Sequence, residues 1–91
     1  MVKNEIINLR KKLDKITEDL IDLLAKRKGL VLKLAKVKRE IKTPIKDKKR
    51  EKKILETAKK LAEKNNLNPS LVEDIMKLLM EDAKKIQEQN F

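Results

Sequence analysis

Seven side chains in this 91-residue chain have the types and spacing to hold a small anion: Arg10, Arg27, Lys38, Asp47, Arg50, Glu51 and Gln87. Arg27 interrupts an apolar helical seam. A guanidinium there needs a partner, because an unpaired buried charge costs several kcal/mol. It is a structural ion pair with a Glu or Asp, a side chain snorkelling at the seam's edge, or a planar fork aimed at a ligand carboxylate. Lys38 follows about three helical turns later, roughly 16 Å along the same face. It is either part of a solvated lysine-rich surface or a second cation for that ligand. Arg10 precedes Arg27 by about 25 Å along the helix and roughly 100° around it, so one small ligand cannot touch both on a single helix. If Arg10 joins the site, it comes from a second copy of the chain.

Asp47, Arg50 and Glu51 stand at i, i+3 and i+4 and share a face. They read as a helix cap with a charge pair, or as another guanidinium beside a carboxylate that accepts from a hydroxyl. Gln87 follows Met76, Met80 and Ala83 at helical spacing, which puts an amide on an apolar stripe. It is either a helix-end amide bonded to a neighbour or a neutral donor aimed into a pocket. None of these groups is a nucleophile. The set suits binding and electrostatic stabilisation of a small polyanion rather than covalent catalysis.

The elements that must position these groups are helical. Lys, Leu, Glu, Ile and Ala dominate, and β-branched residues never alternate over a strand length. Pro44 and Pro69 divide one small domain, residues 1–91, into three segments. The first runs from about Lys3 to Ile41. Its apolar positions Ile6, Leu9, Leu13, Ile16, Leu20, Leu23, Leu30, Leu34, Val37 and Ile41 alternate threes and fours, a heptad seam that lands on Arg27. Gly29 sits inside it at a cost of about 1 kcal/mol relative to Ala. The second runs from Asp47, a plausible N-cap, to Lys64, with Ile54, Leu55, Ala58, Leu61 and Ala62 on its apolar face. The third opens with Asn68 as N-cap and Pro69 at the first helical position, and continues to about Gln89. Its stripe is Leu71, Val72, Ile75, Met76, Leu79, Ala83 and Ile86. A first helix of about 58 Å outruns a compact domain of this size, roughly 30 Å across. A second copy related by a two-fold axis is the simplest cover for its seam. The expected fold is therefore all-α, with three helices per chain, the first very long, in an intertwined homodimer.

Composition excludes much. The chain has no Cys and no His, hence no disulfide, zinc finger, thiol nucleophile or Ser-His dyad. A single Gly excludes phosphate-cradling glycine loops. No apolar run reaches the roughly 18 residues of a membrane span. The chain reads as soluble and cytoplasmic. Twenty-five Lys and Arg against fifteen Asp and Glu give +10 at pH 7, which favours an anionic partner. Composition alone ranks nucleic acid first. The single aromatic residue, Phe91, lowers that rank for single strands.

Taken together, Leu9-Arg10, Leu23 to Arg27, Lys38, Pro44 to Asp47, Arg50-Glu51, Glu81-Asp82 and Gln87 resemble the all-helical chorismate mutase family over nearly the whole chain. The resemblance implies an intertwined dimer of three-helix protomers that performs the Claisen rearrangement of chorismate to prephenate without a cofactor or metal. It implies that Arg10 from the partner chain and Arg27 pair with the substrate carboxylates. Lys38 and Gln87 would donate to the ether oxygen. Glu51 would accept from the ring hydroxyl, helped by backbone at Asp47, and Arg50 would support the site. The family can carry Ser where this chain has Ala83. A hydroxyl there would contact a carboxylate, so its absence implies weaker substrate binding rather than lost activity. An isochorismate-pyruvate lyase-like enzyme on the same fold is the nearest alternative. A basic helical dimer that binds duplex nucleic acid without using Arg27, and a weak or inactive regulator on the same fold, are the others.

The net charge yields a prediction. If the cations steer a dianion, raising salt increases KM more than it lowers kcat, as initial-rate kinetics across an ionic-strength series will show. A salt effect confined to kcat would contradict steering.

Overall fold

The computed structural model describes residues 2–90. They form three helices, α1 (Val2–Ile41), α2 (Lys48–Lys64) and α3 (Pro69–Asn90). The ends fall where local chemistry puts them. Asp47 is the N-cap of α2: its Oδ1 accepts from the Arg50 N–H at 3.0 Å. Asn68 caps α3 in the same way, its Oδ1 accepting from the Ser70 N–H at 3.0 Å, and Pro69 occupies the first helical position.

Both C-terminal stops before the connections are Schellman motifs. At the end of α1, the Thr43 N–H donates to the Lys38 carbonyl at 2.9 Å and the Lys42 N–H to Arg39 at 3.4 Å. Lys42 takes φ 57 to close this turn. At the end of α2, Leu67 donates to Ala62 at 2.8 Å and Asn66 to Glu63 at 3.3 Å, with Asn66 at φ 56. Asn tolerates the left-handed region through its short polar side chain; Lys has no such compensation. Pro44 then prevents α1 from continuing.

The chain divides after Leu30 into two units. Residues 2–30 form the first part of α1, which carries an intrahelical Lys15–Asp19 pair at 3.0 Å. Within it every described side chain is exposed except Arg27, which is half-buried. The exposed set includes Ile6, Leu9, Leu13, Ile16, Leu20 and Leu23 of the seam.

The second unit, from Val31 onward, contains the last turns of α1 with α2 and α3. α2 packs on α3. The buried apolar residues are Val31 and Ala35 on α1, Ala58 and Ala62 on α2, and Ala83 on α3. The alanines of α2 and α3 let those two helices approach closely, but these small residues bury little apolar area. The expected seam is not the face that α1 turns inward. Leu30, Leu34, Val37 and Ile41 remain 45–66% exposed, while Val31 and Ala35, on the adjacent face, are covered. No helix among the described residues is long and apolar enough to cross a membrane.

The left-handed Lys42 gives a direct test of the α1 stop. Lys42→Gly removes the Cβ clash and is expected to raise unfolding free energy by up to about 1 kcal/mol in denaturant titrations. A lower stability would show that this turn is not held in the Schellman geometry.

Candidate active site

The Schellman turn after α1 bends the chain back so that the Ile45 carbonyl reaches Lys38. The Lys38 ammonium donates to that carbonyl at 2.9 Å and to Gln87 Oε1 of α3, also at 2.9 Å. Ammonium cannot accept a hydrogen bond, so this contact also fixes which end of the Gln87 amide faces Lys38. The amide nitrogen turns the other way and donates to the Ala83 carbonyl, one helical turn back, at 3.2 Å. Gln87 is only 5% exposed and is the one buried polar side chain among the described residues. The sequence put it on an apolar stripe, and the structure brings it against a lysine 49 positions away. Lys38 is thereby half-buried rather than part of a solvated face.

A second polar contact joins the opposite ends of the antiparallel pair. Glu51, in the first turn of α2, lies 2.6 Å through Oε1 from Lys84 Nζ near the end of α3. The two side chains are 26% and 34% exposed, well below a surface pair. Oε1 is buried, with the Lys84 ammonium as its close charge partner. Glu51 and Lys84, with Leu55, Lys77, Met80 and Glu81, line a hollow of about 330 Å³ between α2 and α3. That volume is within the range of small-molecule sites.

The remaining sequence candidates are distributed as follows. Asp47 is spent on the α2 cap, and the Arg50 side chain is exposed beside it. Of the two readings of Asp47, Arg50 and Glu51, the cap is realised, while Glu51 pairs across to α3 rather than within its own helix. Ala83 is buried and serves Gln87 through its carbonyl. Arg27 is half-buried and Arg10 exposed, both in the first unit. The residue that sequence reasoning missed is Lys84. Its only signal was that it lies between Ala83 and Gln87 and so close to the α3 face they share.

This arrangement holds two kinds of group ready: hydrogen-bond donors fixed without a titrating base, and a carboxylate held beside a cation. Lys38 has three N–H donors, of which two serve Ile45 and Gln87; the Gln87 amide has two, of which one serves Ala83. Each therefore keeps one further donor for a ligand oxygen.

Residues 9–88 match the family described as chorismate mutase type II. The chain is 38% identical over 81 residues to a bifunctional chorismate mutase/prephenate dehydratase of Buchnera aphidicola subsp. Schizaphis graminum, covering 89% of this chain and 21% of that protein. It is 32% identical over 85 residues to a chorismate mutase of Methanocaldococcus jannaschii, covering 93% of this chain and 86% of that protein. A T-protein of Enterobacter agglomerans is 35% identical over 79 residues, 21% of its length. The chain thus spans about a fifth of the two longer relatives and most of the archaeal one.

The Lys38–Gln87 contact has a stability consequence. Lys38→Met leaves Gln87 Oε1 buried without its donor and is expected to lower unfolding free energy by about 1–3 kcal/mol. An unchanged denaturation midpoint and slope would mean that the amide is satisfied without Lys38.

Proposed function

The chain belongs to the chorismate mutase type II family, and we propose that it converts chorismate to prephenate in a site completed by a second copy of itself. One contact above all supports this: Lys38 Nζ donating at 2.9 Å to the buried Gln87 amide. The rearrangement is unimolecular and needs no acid, base, nucleophile or cofactor. What it needs is a folded substrate and donors where charge develops. As the carbon–oxygen bond breaks, negative charge grows on the ether oxygen. The remaining donors of Lys38 and Gln87 meet that oxygen from groups already held by Ile45 and Ala83, so little reorganisation accompanies the reaction. Loss of one such donor typically adds about 2.7–4 kcal/mol to the barrier.

Arg27 stands three turns before Lys38 on α1 and binds one substrate carboxylate. Arg10 binds from the partner protomer, since its place on α1 is too far along and around the helix from Arg27 to share a ligand with it. Glu51 accepts from the ring hydroxyl, with the Asp47 backbone beside it and Arg50 adding positive charge. Ala83 supplies no hydroxyl, so one substrate carboxylate has one donor fewer. The partner is a second copy because Ile6, Leu9, Leu13, Ile16, Leu20 and Leu23 are 42–63% exposed at heptad spacing. Among the described residues, five small buried apolar ones, four of them alanines, are a slight core. On this reading the protein is a cytoplasmic enzyme of aromatic amino-acid biosynthesis.

The experiment follows loss of chorismate absorbance with product analysis, in the parent and in mixed protomers. Arg10→Ala and Arg27→Ala are each expected to be inactive. Refolded together in equal amounts, they are expected to regain about a quarter of parent activity, because half the dimers are mixed and each mixed dimer carries one intact site. No recovery would place Arg10 in its own chain's site. A parent that leaves chorismate unchanged but releases pyruvate from isochorismate would overturn the mutase reading.

A further inference from the structure

We propose that Lys84 is a positioning residue that neutralises Glu51 so that a dianion can bind beside it, an inference that rests on the chorismate reading above. The difficulty it resolves is electrostatic. A site for a dianionic substrate gains nothing from a carboxylate unless that carboxylate has a counter-charge, because like charges in a partly desolvated site repel strongly. Glu51 is such a carboxylate: it is half-buried and lines the hollow between α2 and α3. Glu81 adds a second one to the same lining. Two cations line that hollow, and Lys77 is already held by Glu73 at 3.3 Å. That leaves Lys84, whose ammonium stands 2.6 Å from Glu51 Oε1.

The geometry of the contact also suits the role. Oε1 is buried and stands 2.6 Å from the Lys84 ammonium. The ammonium thus holds one oxygen of the carboxylate in place by charge and leaves Oε2 as the acceptor for a ring hydroxyl. The pair spans two helices, α2 at its start and α3 near its end, so it also fixes the carboxylate relative to Gln87, one turn beyond Lys84. Lys84 touches Glu51 and not the reacting atoms. Its effect therefore belongs in substrate binding rather than in the barrier from the bound state.

A kinetic double-mutant cycle tests this. Lys84→Met is expected to raise KM for chorismate about tenfold with kcat within about threefold of the parent, and Lys84→Arg to restore KM. In a Glu51→Gln background the same Lys84→Met change is expected to have little effect on KM, because no charge remains to be neutralised. Parent-like KM in Lys84→Met, or an equal rise in both backgrounds, would overturn the proposal. If Lys84→Met fails to fold, the doubly substituted chain, which lacks both charges, and Lys84→Arg still decide it: a double variant whose KM exceeds that of Glu51→Gln alone about tenfold would overturn it. An inactive parent would overturn the chorismate reading and this inference together. An active parent with no coupling overturns this inference alone.

Discussion

A buried amide that must be satisfied organises the second unit of this chain. Gln87 sits among apolar neighbours on α3, and its oxygen is met by a lysine from α1. That lysine can reach it because a Schellman turn ends α1 and brings the Ile45 carbonyl to the same ammonium. One hydrogen-bonded junction thus ties together the end of α1, the following connection and α3. Leaving any member unpaired costs far more than the pair gains by forming, which makes the junction specific as well as stable. The proposed chemistry asks for the same thing, since donors that are already fixed need not reorient when charge appears on the ether oxygen.

Around that junction the packing is economical. Alanines at 58, 62 and 83 are buried where α2 packs on α3, Ala35 is buried on α1, and no large side chain is fully buried among the described residues. Meanwhile a line of leucines and isoleucines on α1 faces outward. These two observations belong together under the proposed dimer: a chain that places its large apolar residues on the outside of a long helix would gain stability from association. An active site that takes Arg10 from a partner would make catalysis depend on the same association.

Much of the fold was legible because its signals are local. The caps at Asp47 and Asn68, the proline at the start of α3 and the heptad spacing on α1 each follow from a few neighbouring residues, and each helix begins or ends within about two residues of its expected place. The oddity of Gln87 was legible for the same reason, as a polar residue out of phase with its stripe. What could not be read depends on contacts across the chain. Val31 and Ala35 lie beside the seam, and only packing decides which face is covered. Lys42 in a left-handed conformation carries no local signature, because lysine is not a residue that seeks it. Lys84 was one lysine among many until α2 and α3 were brought together and its ammonium met Glu51. The family resemblance implied that Lys38 and Gln87 share a ligand oxygen, not that they bond to each other, and spacing alone left Lys38 equally suited to a solvated face.

The most direct measurement is the turnover number of Gln87→Met, which keeps side-chain length and helix propensity but removes both amide groups. With chorismate as substrate and a folded protein, the account predicts that kcat falls by about 10²–10³ while KM changes only a few-fold, the signature of a donor used chiefly in the transition state. A Gln87→Met protein that turns chorismate over at the parent's rate would contradict it.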